Sequence, residues 1–254
     1  MIEICAVASG SNGNCYYIGN KDDAILVDAG INCKQILIRM QRKGLNPSKL
    51  RGIFITHEHN DHVCGARVLA KKLDIPVYMT KGTHQALYLT NRPEAVRFVD
   101  PAQPVMLIPF IIHPILKNHD AREPTSFRIE YQGLNIGVFT DIGSPCKNVT
   151  SHLKVCHALF LETNYDEKML LEGSYPHHLK QRVASDVGHL SNSQAAELLS
   201  EHAGPDLKWV LLSHLSGENN TPQIAYEALK HFENRFKLVV TSRKEPTAVI
   251  TLRL

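Results

Sequence analysis

The sequence lacks several features that are typical of secreted proteins, of membrane proteins and of highly basic nucleic-acid-binding proteins. Its six cysteines are scattered and none forms a C-x-x-C pair, which predicts reduced thiols in a cytoplasmic protein. The first residues contain no basic segment followed by a long apolar one, so no secretion signal is expected. No window approaches the roughly 18 uncharged apolar residues of a membrane span. The net charge of +3 is too small to indicate nucleic-acid binding by itself.

What is present suits one globular domain over residues 1–254, with 43% hydrophobic and 21% charged residues. Strand-like segments are grouped at both ends of the chain and helix-like segments lie among them, which predicts two sheets covered by helices. Gln132-Gly133 is a plausible hairpin turn. Ser191 to Gln194 fits a helix capping box, and Thr221-Pro222 fits a second helix start.

The segment from Phe54 to Gly65, FITHEHNDHVCG, concentrates coordinating side chains directly after an apolar run. On an extended chain, residues i and i+2 point the same way, so His57 and His59 can reach one ion together. Asp61 and His62 follow where a helix begins and can face a second point nearby. Imidazole and carboxylate suit zinc, manganese or iron(II). A solvated polar loop is the alternative, but it explains a complete H-x-H-x-D-H pattern poorly.

Four ligands cannot complete two ions, so further ligands are expected at later strand ends. Three residues meet that expectation. His119 follows an apolar run, Asp141 ends the strand NIGVFTD, and His214 ends the strand WVLLSH. Each lies where a buried strand emerges into a loop, which is where rigid scaffolds hold functional side chains.

The series THEHNDH, HDA, FTDIG and LLSHLS resembles the metallo-β-lactamase superfamily over essentially the whole chain. The opening strands are also similar, with Asp28 in the position of the superfamily's first motif. The segments LETNYDEKML, YPHHLKQRVASDVGHLSN and the later NN.P resemble the YycJ/WalJ-like bacterial branch, exonuclease-like metal-dependent phosphodiesterases acting on DNA. The resemblance implies an α+β fold, an αββα sandwich of two mixed sheets flanked by helices.

The resemblance also implies a ligand set for two divalent metal ions. Zinc and manganese are the leading candidates, and iron is a third. The resemblance assigns His57, His59 and His119 to one ion, Asp61, His62 and His214 to the second, and Asp141 to a bridge between them. A hydroxide between the ions would act as nucleophile, with Asp61 orienting it and taking its proton.

His189 resembles the histidine that stabilises phosphate or protonates the leaving group in tRNase Z-like enzymes, and with Asp61 it forms the predicted catalytic pair. A histidine that merely caps or packs beside the following helix is the alternative. Glu162 and Asn164 are expected to support the site. The pattern leaves the roles of four neighbouring residues open: His177, His178, Lys180 and Arg182.

The resulting hypothesis is that the protein is a cytoplasmic metal-dependent hydrolase with two metal ions. It would act as a phosphodiesterase or exonuclease on nucleic acid, with DNA as the preferred candidate substrate. An ester, thioester or lactone hydrolase on the same metal site is the alternative, because a metal-activated hydroxide also attacks carbonyl groups. Redox chemistry on iron is disfavoured, since no flavin domain fits in the chain. A metal-binding module without turnover is disfavoured by seven ligands and a positioned donor.

Overall fold

The computed structural model describes all residues, 1–254. The first half of the chain and the last strand build one seven-stranded sheet, in the order β14-β1-β2-β3-β4-β5-β6. Strands β1 to β3 and β14 pair antiparallel and β3 to β6 pair parallel, so the sheet is mixed. Its strands are β1 Ile2–Ala8, β2 Cys15–Gly19, β3 Ala24–Val27, β4 Leu50–Phe54, β5 Val77–Met79, β6 Val96–Phe98 and β14 Ile250–Leu252.

The second half builds another mixed seven-stranded sheet, in the order β13-β12-β11-β10-β9-β8-β7. Strands β7 to β10 form antiparallel hairpins, and β10 to β13 are parallel. Its strands are β7 Val105–Leu107, β8 Phe110–Leu116, β9 Thr125–Tyr131, β10 Leu134–Phe139, β11 Ala158–Glu162, β12 Trp209–Ser213 and β13 Lys237–Val240.

Nine α-helices connect the strands and cover the two outer faces. They are α1 Cys33–Arg42, α2 Asn60–Val63, α3 Ala66–Leu73, α4 Lys81–Ala86, α5 Lys147–Leu153, α6 Glu167–Glu172, α7 His177–Val183, α8 Asn192–His202 and α9 Pro222–Leu229. Helices α1 and α3 bury their apolar residues against the first sheet. Helices α5, α8 and α9 do the same against the second. None of the helices has the length and apolar character needed to cross a membrane.

The two sheets pack face to face through a shared layer of apolar side chains. Tyr16 and Phe54 of the first sheet lie in one buried cluster with Phe127 and Phe160 of the second. The Tyr16 and Phe160 ring centroids are 4.8 Å apart, within the range of favourable aromatic pairs. The predicted αββα sandwich of two mixed sheets is confirmed.

Local sequence signals explain several of these elements. Gln132 and Gly133 form the hairpin turn between β9 and β10, both with positive φ, as a two-residue hairpin loop requires. Ser191 and Gln194 make the reciprocal capping box at the start of α8. Thr221 caps α9, which begins at Pro222. The sequence of residues 63–73 has a helical pattern, but the helix is interrupted at Cys64-Gly65 and α3 begins at Ala66.

Candidate metal centre

The predicted ligands come from loops at the carboxyl ends of neighbouring strands in both sheets. His57, His59, Asp61 and His62 lie between β4 and the short helix α2 or within that helix, and His119 follows β8. Asp141 and His214 follow β10 and β12. These two residues adopt left-handed backbone conformations, with φ of 55° and 57°. Such conformations cost on the order of 1–3 kcal/mol and persist where surrounding contacts impose them.

The fold brings the seven predicted ligands into one cluster. Their donor atoms form overlapping groups in which all atoms lie within 4.8 Å of one another. Three of the groups are His57, His59 and His119; His57, His62 and Asp141; and Asp61, His62 and His214, and a fourth joins Asp141 and His214 to Glu162 and His189. The first and third coincide with the two ligand sets expected from the sequence, and Asp141 lies next to both. Their role as ligands remains a prediction.

Three of the histidines are held through Nδ1, which leaves Nε2 directed into the cluster. His62 Nδ1 lies 2.7 Å from Asp28 Oδ2, and His214 Nδ1 lies 2.9 Å from Glu162 Oε1. His119 Nδ1 lies 3.0 Å from the carbonyl oxygen of Gly188. A carboxylate or carbonyl acceptor at Nδ1 fixes the tautomer with Nε2 unprotonated, the arrangement that metal-binding histidines use.

Atoms without partners show that the residues fit a cation. Nε2 of both His119 and His214, together with Oδ2 of Asp141, are buried and make no hydrogen bond. An unsatisfied buried polar atom costs about 1–3 kcal/mol, and native structures rarely tolerate several in one place. A divalent ion would satisfy all three. The nitrogen and carboxylate donor set suits zinc or manganese.

Without an ion, the electrostatics of the cluster favour the ligand forms of its carboxylates and of two histidines, but not of His62 and His214. Burial lowers the pKa of His119 to about 3 despite the nearby Asp141, so this imidazole is neutral. Burial and the charge of His62 hold the pKa of His57 well below its usual range. Burial raises the pKa of Asp61, but His62 and His214 outweigh it and keep the carboxyl ionised. Burial lowers the pKa of His214, but Asp141 and other carboxylates outweigh it and raise it to about 10, and carboxylates likewise raise the pKa of His62. Neutral imidazoles and ionised carboxylates are the protonation states that bind metal, so a bound ion would displace the protons of these two histidines.

The glycine-rich turn after β1 contributes more than its sequence suggested. The sequence of residues 9–14, SGSNGN, indicates only a tight turn, but two of its side chains contact the cluster directly. Asn14 Nδ2 donates to Asp61 Oδ2 at 3.3 Å, and Ser9 Oγ accepts from the backbone N–H of His214 at 2.8 Å. Gly30 permits this packing, because a Cβ there would collide with the carbonyl oxygen of Asp61. Nothing in the spacing of the turn residues signals these contacts.

His189 lies at the edge of the same cluster, backed by a buried carboxylate. Its Nδ1 is 2.8 Å from Glu162 Oε1, the oxygen that also contacts His214. Glu162 Oε2 accepts the backbone N–H groups of Ile142 and Leu190, so the carboxylate is held at both oxygens. Burial raises the pKa of Glu162, but His189 and His214 outweigh it and lower it to about 2. Glu162 therefore orients two histidines at once.

Glu58 and the four residues whose roles the sequence left open are not part of the ligand cluster. Glu58 Oε1 accepts the backbone N–H of Arg122 at 2.7 Å, and Glu58 is in none of the ligand groups. Lys180 Nζ donates to the carbonyl oxygen of Leu171, so its charge is engaged within its own segment. Arg182 is paired with Asp120 and lines the cleft above the cluster. His177 and His178 are exposed at the start of α7.

Comparisons with known proteins agree with this fold. Residues 8–138 match the model of the metallo-beta-lactamase superfamily. The chain is 34% identical over 227 residues to exodeoxyribonuclease YycJ of Bacillus anthracis, covering 88% of this chain and 86% of that protein. It is 33% identical to exodeoxyribonuclease WalJ of Streptococcus pneumoniae, covering 87% and 84%. Among solved structures, the metallo-beta-lactamase fold protein YhfI of Bacillus subtilis superposes with a TM-score of 0.72 at 18% identity, covering 97% of this chain and 99% of that one.

The chain belongs to the metallo-beta-lactamase superfamily, because the model of that family matches just over half of it. Within that superfamily it belongs to the YycJ/WalJ-like branch, because its identity to both relatives extends over most of each chain.

Proposed function

We propose that this chain is a metal-dependent phosphodiesterase that removes nucleotides from DNA. The observation that carries the proposal is the Glu162–His189 pair, a positioned proton donor beside a complete set of metal ligands. The names of the relatives, both exodeoxyribonucleases, support the same substrate class. The six free cysteines suit a cytoplasmic location.

We further propose that two divalent ions, zinc or manganese, occupy the cluster. His57, His59 and His119 would hold one, Asp61, His62 and His214 the other, and Asp141 would contact both. When bound, such ions activate water at neutral pH and neutralise charge that develops on the phosphoryl oxygens. Asp28, Glu162 and Thr56 would keep the imidazoles in the orientation that this binding needs.

The reaction needs one residue to handle the proton of water and another to supply the proton of the leaving group. Asp61 suits the first role, because its carboxylate is ionised and reaches the cleft while Asn14 fixes one of its oxygens. It orients the attacking water and accepts its proton. His189 suits the second role. Since Glu162 holds its Nδ1, its Nε2 is the nitrogen left to donate a proton to the departing alkoxide.

Phosphodiester hydrolysis depends on the proton donor His189 more than hydrolysis of an ester or thioester does. A phosphodiester transition state carries additional negative charge and expels an alkoxide that requires protonation. An activated ester or a thioester has a better leaving group and needs the donor less.

A panel of substrates tests the proposal. Protein stripped with a chelator and reloaded with zinc or manganese would be assayed on single-stranded DNA, double-stranded DNA, RNA and bis(p-nitrophenyl) phosphate. The same samples would be assayed on p-nitrophenyl acetate, a thioester and a lactone. We expect metal-dependent release of nucleotides from DNA. Turnover confined to the acyl substrates would replace the proposal with the acyl-hydrolase alternative.

A further inference from the structure

A cleft of about 360 Å³ opens directly above the metal cluster, within the usual size range of ligand sites. One wall is the turn after β12, residues 214–220. Another wall is the segment that carries α7, residues 175–183. His189 and Asp61 lie at the floor, so a ligand in this cleft would adjoin the reacting phosphate. The segments YPHHLK and NN.P, which the metal centre leaves without a role, supply these two walls.

Two consecutive asparagines in the turn after β12 have opposite surroundings. The Asn220 side chain is saturated, donating to the carbonyl oxygen of Thr163 and to Asn192 Oδ1, both at 2.9 Å. Asn219 is equally buried, with 1% of its surface exposed, yet neither Nδ2 nor Oδ1 has a hydrogen-bond partner. Asn220 therefore holds the turn together. Asn219 lines the cleft with both polar atoms unused.

The backbone around Asn219 is fixed, so its unpaired side chain does not reflect a loose turn. Its N–H donates to Ser216 Oγ at 3.1 Å, and its carbonyl oxygen accepts from Asp166 N at 2.8 Å. Gly173 closes in on its amide from the segment before α7. A Cβ at Gly173 would lie 2.8 Å from Asn219 Oδ1, so a larger residue there would crowd the amide. The fixed backbone therefore holds the Asn219 Nδ2 donor and the Oδ1 acceptor in place, and both atoms are buried.

The chemistry of a carboxamide limits what can satisfy it. A phosphate offers only acceptors, so it would leave Asn219 Oδ1 unpaired beside negative charge. The polar edge of a nucleobase offers a donor and an acceptor side by side, which an asparagine can meet with both atoms. This match holds whichever way the amide is turned, because both of its atoms are free.

Tyr175 provides an aromatic surface in the same cleft. Its ring is partly exposed and packs against Tyr165, Leu170 and Val183, which form a small apolar cluster beneath it. No other aromatic ring of the chain stacks on Tyr175, although fifteen ring pairs occur elsewhere. Aromatic side chains on such a firm support bind bases by stacking, with little dependence on base identity.

We infer that this cleft holds the terminal nucleobase of the DNA substrate, with Asn219 pairing with the polar edge of the base and Tyr175 stacking on its face. The inference rests on the proposed function and adds to it a base-binding site beside the scissile phosphate. It makes Asn219 and Tyr175 recognition residues, and it separates them from the residues that carry out hydrolysis.

Binding measurements test the inference without relying on turnover. Fluorescence anisotropy with chelator-treated protein would use three single-stranded deoxyoligonucleotides: one natural, one abasic at the 5′ end and one abasic at the 3′ end. Wild-type protein should bind one abasic probe about ten-fold more weakly than the natural probe. Asn219→Ala and Tyr175→Leu should each remove most of that difference. Tyr175→Phe, which keeps the ring, and Tyr88→Leu on the far exposed surface should preserve it.

Thermal melting of the same variants separates recognition from structure. Asn219→Ala removes an unsatisfied buried group, so its melting temperature should equal or exceed that of the wild type. Asn220→Ala breaks a saturated network and should melt lower. If Asn219→Ala melts as low as Asn220→Ala, Asn219 is structural and the inference fails.

The binding outcomes also distinguish the inference from the proposed function. Equal binding of all three probes by the wild type would overturn the base site and leave DNA binding intact. No binding of any probe, together with no hydrolysis of DNA by metal-loaded protein, would overturn the proposed function and the base site with it.

Discussion

At the residue scale, the centre depends on what holds each ligand as much as on the ligands themselves. The H-x-H-x-D-H pattern, the polar residues at later strand ends and the family resemblance together predicted which histidines and aspartates would meet. They could not predict that Asn14 contacts Asp61 or that Glu162 joins His189 to His214, because these contacts connect positions far apart in the chain. Only the packing of both sheets brings them within hydrogen-bonding distance.

Asp141 is expected to matter most among the carboxylates of the cluster. Asp141→Asn removes a charge that lies next to both ligand groups, so we expect loss of metal and about 100-fold lower activity on DNA. Glu58→Gln is the matched control, since a glutamine oxygen can still accept from Arg122 N and Glu58 is in no ligand group. Steady-state rates and elemental analysis check both variants. Similar losses in the two would show that the bridge is misassigned.

His189 is expected to act on the leaving group. His189→Ala should retain metal and lose on the order of 10²–10⁴-fold in the rate on DNA. It should lose much less on bis(p-nitrophenyl) phosphate, because nitrophenolate departs without protonation. The exposed His231→Ala serves as control and should match the wild type on both substrates. Equal losses on both substrates would reduce His189 to charge stabilisation, and full activity on DNA would remove it from the site.

At the scale of elements, short local signals in the sequence predicted helix starts and turns well. They predicted contacts between distant segments poorly. The capping box at Ser191 and the hairpin at Gln132-Gly133 depend on a few neighbouring residues, and both are present as expected. The break before α3 was missed because Gly65 packs against the backbone of Ile31. That contact is set by a distant segment and leaves no trace in the helical pattern of residues 63–73.

The cap of α8 connects local stability to the site, because His189 lies two residues before it. Ser191→Ala removes the hydrogen bond from Gln194 N and should lower the free energy of unfolding by about 1 kcal/mol. Ser151→Ala, at an exposed position in α5, should change it by less than about 0.5 kcal/mol. Urea denaturation of both variants checks this. Identical midpoints for the two would mean that the cap contributes nothing to α8.

At the scale of the whole molecule, we propose that residues 1–254 fold as one domain. The first sheet includes β14 from the end of the chain, and both sheets share one apolar layer, so neither half buries its inner face alone. Metal-free protein should therefore unfold in a single transition. Fluorescence of Trp209, the one tryptophan, and far-ultraviolet circular dichroism should give coincident urea curves. Separated curves would divide the chain into independent units.

We propose that this fold assembles a two-ion centre for DNA hydrolysis. The most direct test is a titration of chelator-stripped protein with zinc or manganese, followed by the initial rate of nucleotide release from single-stranded DNA. We predict no activity without metal and a rate that rises to a plateau at two equivalents per chain, with elemental analysis giving the same number. Full activity in the presence of chelator, or a plateau at one equivalent, would contradict the account.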